Sequence, residues 1–365
     1  MTFMSQVANS IYQRVTQRSF GQLSTGQATT LYTLTNRHGM QVSVTNYGAI
    51  VVSVFTPDRT GRMADVVLGY DCAADYEEDS YYLGAVVGRY AGRIENGVIE
   101  VEGQTHQLTL NAPDSQLHGG PNAFNKQLWQ AKSNQNDCSS AVCFTLVSPD
   151  GDNGFPGDVT VKVLYTLTDD NELTVEYTGV TNKATLLNLT QHSYFNLAGH
   201  NSGNIHNHQV QINADSFLPM TERAYPTGQI KSVAGTVHDF TKLKTLAEDI
   251  DGDDEQIKIG LGYDNYWLTN TDALSGDTFS ARVVDPDTGR SLTIYTDQPS
   301  IILYTANYID GSHVGKNNFT YQQRAALCLE PQRANNREYG PSLANTLLTP
   351  QQSFYSKNRY CFGVV

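Results

Sequence analysis

Val159-Thr160-Val161-Lys162-Val163-Leu164-Tyr165-Thr166-Leu167-Thr168, then Asp169-Asp170-Asn171, then Glu172-Leu173-Thr174-Val175-Glu176-Tyr177-Thr178-Gly179-Val180 read as two strands joined by a tight reversal. Apolar and polar residues alternate with period two, the pattern of a strand buried on one face. The same pattern recurs outward in both directions. It predicts strands at 41–45, 98–110, 142–147, 209–213, 280–284, 291–296 and 301–304. Pro57-Asp58-Arg59-Thr60-Gly61 and Asp285-Pro286-Asp287-Thr288-Gly289 carry hairpin-loop chemistry, with proline setting φ and glycine supplying a positive one.

Helical signals are few: one short helix at 73–79 and another at 243–250. Strand follows strand without intervening amphipathic helices, which excludes a parallel βαβ sheet. The expected fold is therefore all-β, a large antiparallel β-sandwich with few short helices, formed by one domain over residues 1–365. Ser148 to Gly157 and Asp249 to Gly262 read as loop-rich.

Composition narrows the function. The chain has 365 residues, with 24 lysines and arginines against 37 acidic residues and a net charge of -13. An acidic protein of this size is a poor partner for nucleic acid or anionic membrane. Mean hydropathy is -0.39, and no apolar run approaches the ~20 residues of a membrane helix. The five cysteines, Cys72, Cys138, Cys143, Cys328 and Cys361, are odd in number and lack CxxC spacing. With no secretory signal visible in residues 1–20, the expectation is a cytoplasmic protein with reduced thiols.

Four clusters carry candidate chemistry. Gly88-Arg89-Tyr90-Ala91-Gly92-Arg93-Ile94 sets two arginines among glycines, and the guanidinium fork suits sugar hydroxyls or carboxylates. The plainer reading is a strand-end turn with solvated arginines. Leu117-His118-Gly119-Gly120 places a histidine where backbone can approach a ligand closely, or where it merely caps a turn. In the run around His192, Asn188, Thr190, His192, Tyr194 and Asn196 share one strand face. That polar wall needs hydrogen-bond partners, which a bound polyol would supply; the alternative is a solvent-facing strand. Lastly, Tyr263-Asp264-Asn265-Tyr266-Trp267 sets a carboxylate among aromatics, and Glu330 ends the apolar run 325–329. A glutamate there is either part-buried and put to use or simply at a strand exit.

Other motifs fail on spacing. Asp150-Gly151-Asp152-Asn153-Gly154 opens like a calcium loop, but Val161 stands at its twelfth position. Asp251-Gly252-Asp253-Asp254-Glu255 reads as a solvated acidic loop, and His200, His206 and His208 match no zinc signature. The glycines from Gly84 to Gly92 fit neither a dinucleotide motif nor a P-loop, and GxSxG is absent.

Taken together, several motifs resemble those of the aldose 1-epimerase (galactose mutarotase) family. They include Asn46-Tyr47-Gly48-Ala49, Ala91-Gly92-Arg93-Ile94, Leu117-His118-Gly119-Gly120 and Asn153-Gly154-Phe155-Pro156-Gly157. The series continues through His192-Ser193-Tyr194-Phe195-Asn196-Leu197, Tyr263-Asp264-Asn265, Asp297-Gln298-Pro299 and Leu329-Glu330-Pro331-Gln332, all in family order. The resemblance implies a sandwich of the mutarotase type with its pocket on one concave sheet. It implies Glu330 as catalytic base and His192 as catalytic acid, with Arg93, His118, Asp264 and Gln298 holding the sugar. Asn265 stands where relatives commonly carry a histidine, and roughly the first 25 residues fall outside the match as an extension.

The implied reaction interconverts α and β anomers of free hexoses such as galactose and glucose. It needs no metal and no organic cofactor. It does require the Glu330 and His192 pKa values to be set apart, so that one is a carboxylate and the other an imidazolium near neutral pH. The expected partner is a free aldohexose; the chain is expected to be a monomer or weak homodimer. Two alternatives are a hexose-6-phosphate 1-epimerase, with Arg89 available for the phosphate, and a non-catalytic sugar-binding sandwich.

Overall fold

The computed structural model describes residues 13–270, 277–334 and 345–365. The stretch 159–180 forms the hairpin expected, with strands Val159–Thr168 and Glu172–Thr181 in antiparallel register, Leu167 opposite Leu173 and Tyr165 opposite Val175. Val161, Val163, Tyr165, Val175 and Tyr177 are all buried, so one face of the hairpin enters the core. Asn171 turns the chain with a φ of 59°, which asparagine tolerates.

This hairpin sits within a nine-stranded sheet that runs from strand Gln130–Gln135 to strand Lys244–Thr245. A six-stranded sheet stacks against it, ordered Tyr194–Phe195, Leu327–Gln332, Ser300–Tyr304, Asp264–Thr269, Ala214–Leu218 and Lys231–Ser232. Pairing within both sheets is antiparallel. The core between them takes Trp267, Ile301, Leu303, Leu327 and Leu329 from the smaller sheet and Val161, Val163, Val175 and Ile294 from the larger. The result is the sandwich expected, with two short α-helices among the described residues, Ala73–Glu78 and Glu255–Gly260. No helix among the described residues is long and apolar enough to cross a membrane.

A third sheet of five strands begins at Val15–Gln22. Within the expected N-terminal extension, Val15–Gln22 thus forms the edge strand of this sheet. Arg14 reinforces it with two hydrogen bonds to the Asp169 carboxylate, at 2.7 and 2.8 Å. Residues 1–12 lie outside the described range.

Three local expectations need correction. The run 98–110 is two strands, Val98–Val101 and Gln104–Gln107, because Glu102 and Gly103 both turn through positive φ. The helix expected at 243–250 is a two-residue strand followed by one 3-10 turn, Leu246–Glu248. The loop-rich 249–262 contains a real helix, which Asp254 starts by accepting N–H donors from Gln256 and Ile257.

Candidate active site

The alternation that buries Leu327 and Leu329 turns Cys328 and Glu330 to the opposite face of the six-stranded sheet. Register then lays out the pocket floor. One row crosses the sheet as Tyr266, Ile302 and Glu330; the next as Asp264, Tyr304, Cys328 and Tyr194. The wall comes from elsewhere. Strands Arg93–Glu95 and Ser115–Leu117 pair with Leu117 opposite Arg93, which brings Arg93 and His118 together. Tyr82 and His192 complete a cavity lined also by Tyr308 and Met220.

His192 and Glu330 meet in this cavity, with Nε2 3.6 Å from Oε1 and both side chains almost fully buried. Burial pushes Glu330 well above the usual carboxylate range; the Asp264 charge adds to that, and a 3.4 Å hydrogen bond from Gln332 Nε2 to Oε2 opposes it. Burial also lowers His192 to about 4. The rise at Glu330 is the one expected of a buried, functional glutamate, while both directions run opposite to the carboxylate and imidazolium that the implied roles require. Within the cavity each group is driven towards its neutral form, because a low-dielectric site disfavours either charge. Yet carboxyl plus imidazole hold the same single proton as carboxylate plus imidazolium. The pair differs from its working form only in where that proton sits.

The ring of His192 is held on every side. Tyr194 and Tyr82 lie near-parallel to it, at centroid distances of 5.0 and 6.3 Å, and His118 meets it edge-on at 5.4 Å. Cys328 Sγ stands 3.5 Å from Nδ1. His118 adopts a φ of 52°, and its Nδ1 accepts the Gly92 N–H at 3.1 Å. That bond fixes the tautomer, leaving Nε2–H as the donor. Burial, with His192 and Arg93 nearby, keeps His118 neutral. Asp264 lines the same cavity, raised by burial to about 6 with Arg93 opposing the shift.

Not every candidate arrives here. Gln298 does not line the cavity; its side-chain amide donates to Asp297 at 2.7 Å. Arg89 is buried but turned away, donating to Ser148 and to the carbonyls of Ser148, Pro149 and Pro156. It is neither solvated nor able to meet a ligand. Gly119 is required by packing rather than by a ligand, since a Cβ there would fall 2.1 Å from the Gly88 carbonyl oxygen. In the polar wall, Asn188, Thr190 and Asn196 bond backbone carbonyls of Ala91, Arg333, Pro331, Gly203 and Ala325. Protein, not polyol, satisfies them, and only His192 and Tyr194 of that face line the cavity.

Sequence reasoning gave no role to Tyr82, Tyr304, Tyr308, Cys328 and Gln332. The signal for Cys328 and Gln332 was available: both share the strand parity of Glu330. His192, Cys328 and Glu330 offer ligand atoms within 4.8 Å of one another, the one such trio among the described residues. The two ring nitrogens of His192, however, face different partners, an arrangement suited to hydrogen bonding rather than to one shared cation. His208, from the rejected zinc trio, accepts the Leu197 N–H at 2.9 Å, and Asp150 pairs with Lys183 at 2.6 Å.

A sandwich that buries a histidine against a glutamate in a cavity shared with Arg93, His118 and Asp264 has the groups that a carbohydrate-converting enzyme working by proton transfer needs. The chain belongs to the aldose 1-epimerase family, whose profile matches residues 30–361. It is 37% identical to the galactose mutarotase of Sus scrofa over 96% of this chain and 99% of that one. The aldose 1-epimerase of Escherichia coli (strain K12) is 36% identical over 92% of this chain and 96% of its own. Among solved structures, the galactose 1-epimerase of Lactobacillus acidophilus superposes with a TM-score of 0.84 at 28% identity, covering 96% of this chain and 98% of that one.

Proposed function

We propose that this protein is an aldose 1-epimerase that interconverts the α and β anomers of free hexoses, galactose and glucose among them. The single observation that carries the mechanism is the buried Glu330–His192 contact at 3.6 Å. With the shared proton on His192, the Glu330 carboxylate takes the proton of the anomeric hydroxyl while Nε2 gives its proton to the ring oxygen. The C1–O5 bond breaks and an open-chain aldehyde forms. Rotation about C1–C2 offers the other carbonyl face. The O5 hydroxyl then returns its proton to His192, O5 attacks C1, and Glu330 protonates O1. Each positioned proton-transfer group typically contributes about 10²–10⁴-fold.

Arg93, His118 and Asp264 are the proposed hydroxyl-binding groups. Neutral His118 donates through Nε2, the Asp264 carboxylate accepts, and Arg93 donates. Together they hold the sugar so that O1 and O5 fall to the pair. Gln298, whose amide is engaged by Asp297, is left out of this set.

A hexose 6-phosphate is less well served. Arg93 is the one arginine or lysine lining the cavity among the described residues, and Arg89, the other candidate for the phosphate, is committed to loop carbonyls. A purely binding role leaves the buried acid/base pair without a purpose. The five unpaired cysteines support a reducing, cytoplasmic location. Polarimetry on a panel of sugars tests the assignment: accelerated mutarotation of free aldohexoses supports it, and acceleration confined to hexose 6-phosphates would replace it.

A further inference from the structure

Cys328 is buried beside the reacting pair, yet proton transfer as described gives it no task. Its position follows from strand geometry. Cys328 and Glu330 are two residues apart and so project from the same face of one strand. The His192 ring lies across from both, with Nδ1 3.5 Å from Sγ and Nε2 3.6 Å from Oε1. One strand therefore engages both ring nitrogens, while Tyr194 and Tyr82 bracket the ring faces.

We infer that Cys328 is a positioning residue whose sulfur accepts the Nδ1–H of His192 and so confines proton exchange to Nε2. The inference rests on the reading of His192 as the proton donor to the sugar. It is consistent with both proton arrangements of the pair. As imidazolium, His192 carries a proton on each nitrogen, and Nδ1–H points to sulfur. After Nε2 has given up its proton, the neutral ring that remains is the Nδ1–H tautomer, with the same partner.

The choice of sulfur has a chemical consequence. A carboxylate at Nδ1 orients an imidazole and also raises its basicity. A thiol sulfur is a weak, uncharged acceptor. Burial, reinforced by the Glu330 and Asp264 charges, raises the Cys328 thiol well above its ordinary range and keeps it uncharged. Cys328 thus fixes the tautomer without making the imidazolium a weaker acid. That suits protonation of a hemiacetal ring oxygen, a poor base.

The test uses the full-length protein labelled with 15N-histidine. At neutral pH the His192 signals of the wild type are expected to show a pyrrole-like Nδ1 and a pyridine-like Nε2. Cys328→Ala, in which the Glu330 proton still keeps Nε2 an acceptor, is expected to shift the Nδ1 signal and to lower kcat roughly tenfold, with KM within about twofold of wild type. Cys328→Ser, which keeps an acceptor at the same place, is expected to recover most of kcat. A wild-type Nε2–H tautomer overturns the inference, as does an alanine variant that keeps both the Nδ1 signal and kcat, or one whose loss lies in KM. Where circular dichroism shows the alanine variant misfolded, the wild-type tautomer decides alone. A wild type that fails to mutarotate free sugar contradicts the proposed function, whatever the tautomer.

Discussion

His192 Nε2 stands 3.6 Å from Glu330 Oε1, and both side chains are almost wholly shut off from solvent. The strand Leu327–Gln332 supplies Glu330, and the strand Thr190–His192 brings His192 from a separate small sheet. Burial drives both towards neutrality while leaving one proton between them. In the proposed mechanism such a pair passes a proton in either direction, ring opening and closure using the same two groups with roles exchanged.

His192→Asn removes the proposed donor to the ring oxygen and leaves the proposed hydroxyl-binding groups in place. We expect kcat to fall by about 10²-fold or more while KM changes little. Steady-state kinetics over a range of galactose concentrations separates the two parameters. A change confined to KM would reduce His192 to a binding role.

Asp264 introduces a pH dependence. With its carboxyl raised to about 6 by burial, it is ionised above that pH, the form in which the proposed contact accepts sugar hydroxyls. KM is expected to rise as pH falls through 6, and in Asp264→Asn to be higher but flat over the same range. A wild-type KM that stays constant from pH 7 to 5 would contradict the assignment.

The same group is linked to stability with a definite sign. Its carboxyl ionises at about 6 when folded, against an ordinary value of 3.8. Across that window the folded chain retains a proton that the unfolded chain has lost. Its contribution to stability is therefore full below 3.8 and declines as pH rises through about 6. Urea denaturation at pH 4.5 and 7 should show wild type gaining less, or losing more, than Asp264→Asn on going to the higher pH. Identical responses of the two proteins would place Asp264 in an ordinary solvated setting.

Arg89 tests the distinction between scaffold and site. Arg89→Leu strips the donors from the carbonyls of Ser148, Pro149 and Pro156. Stranding buried acceptors costs about 1–3 kcal/mol each, so a total loss of about 3 kcal/mol or more is expected by urea denaturation. KM of the folded fraction should remain within about twofold of wild type. A large KM change at unaltered stability would return Arg89 to the binding site.

Much of the fold was legible because period-two alternation is a local signal. The strand Val159–Thr168 and its partner could be read residue by residue. What escaped depends on weaker local cues or on distant neighbours. Glu102-Gly103 turns the chain without an Asn-Gly or Asp-Gly pair to announce it. Asp254 caps a helix from within an acidic run that resembles a loop. In the site, Glu330 and His192 stood out by motif, whereas the partners of Asn188, Thr190 and Asn196 are carbonyls of remote segments that no local pattern reveals. The pKa directions of the pair also depend on how much solvent the assembled sheets exclude.

The most direct measurement is polarimetric decay of freshly dissolved α-D-galactose with wild-type protein and with Glu330→Gln, a change that removes the carboxylate and keeps its size. The wild type should speed the approach to anomeric equilibrium. The glutamine variant, folded by circular dichroism, should give a decay close to that of buffer alone. A Glu330→Gln rate within a few-fold of wild type would contradict the acid/base account at its centre.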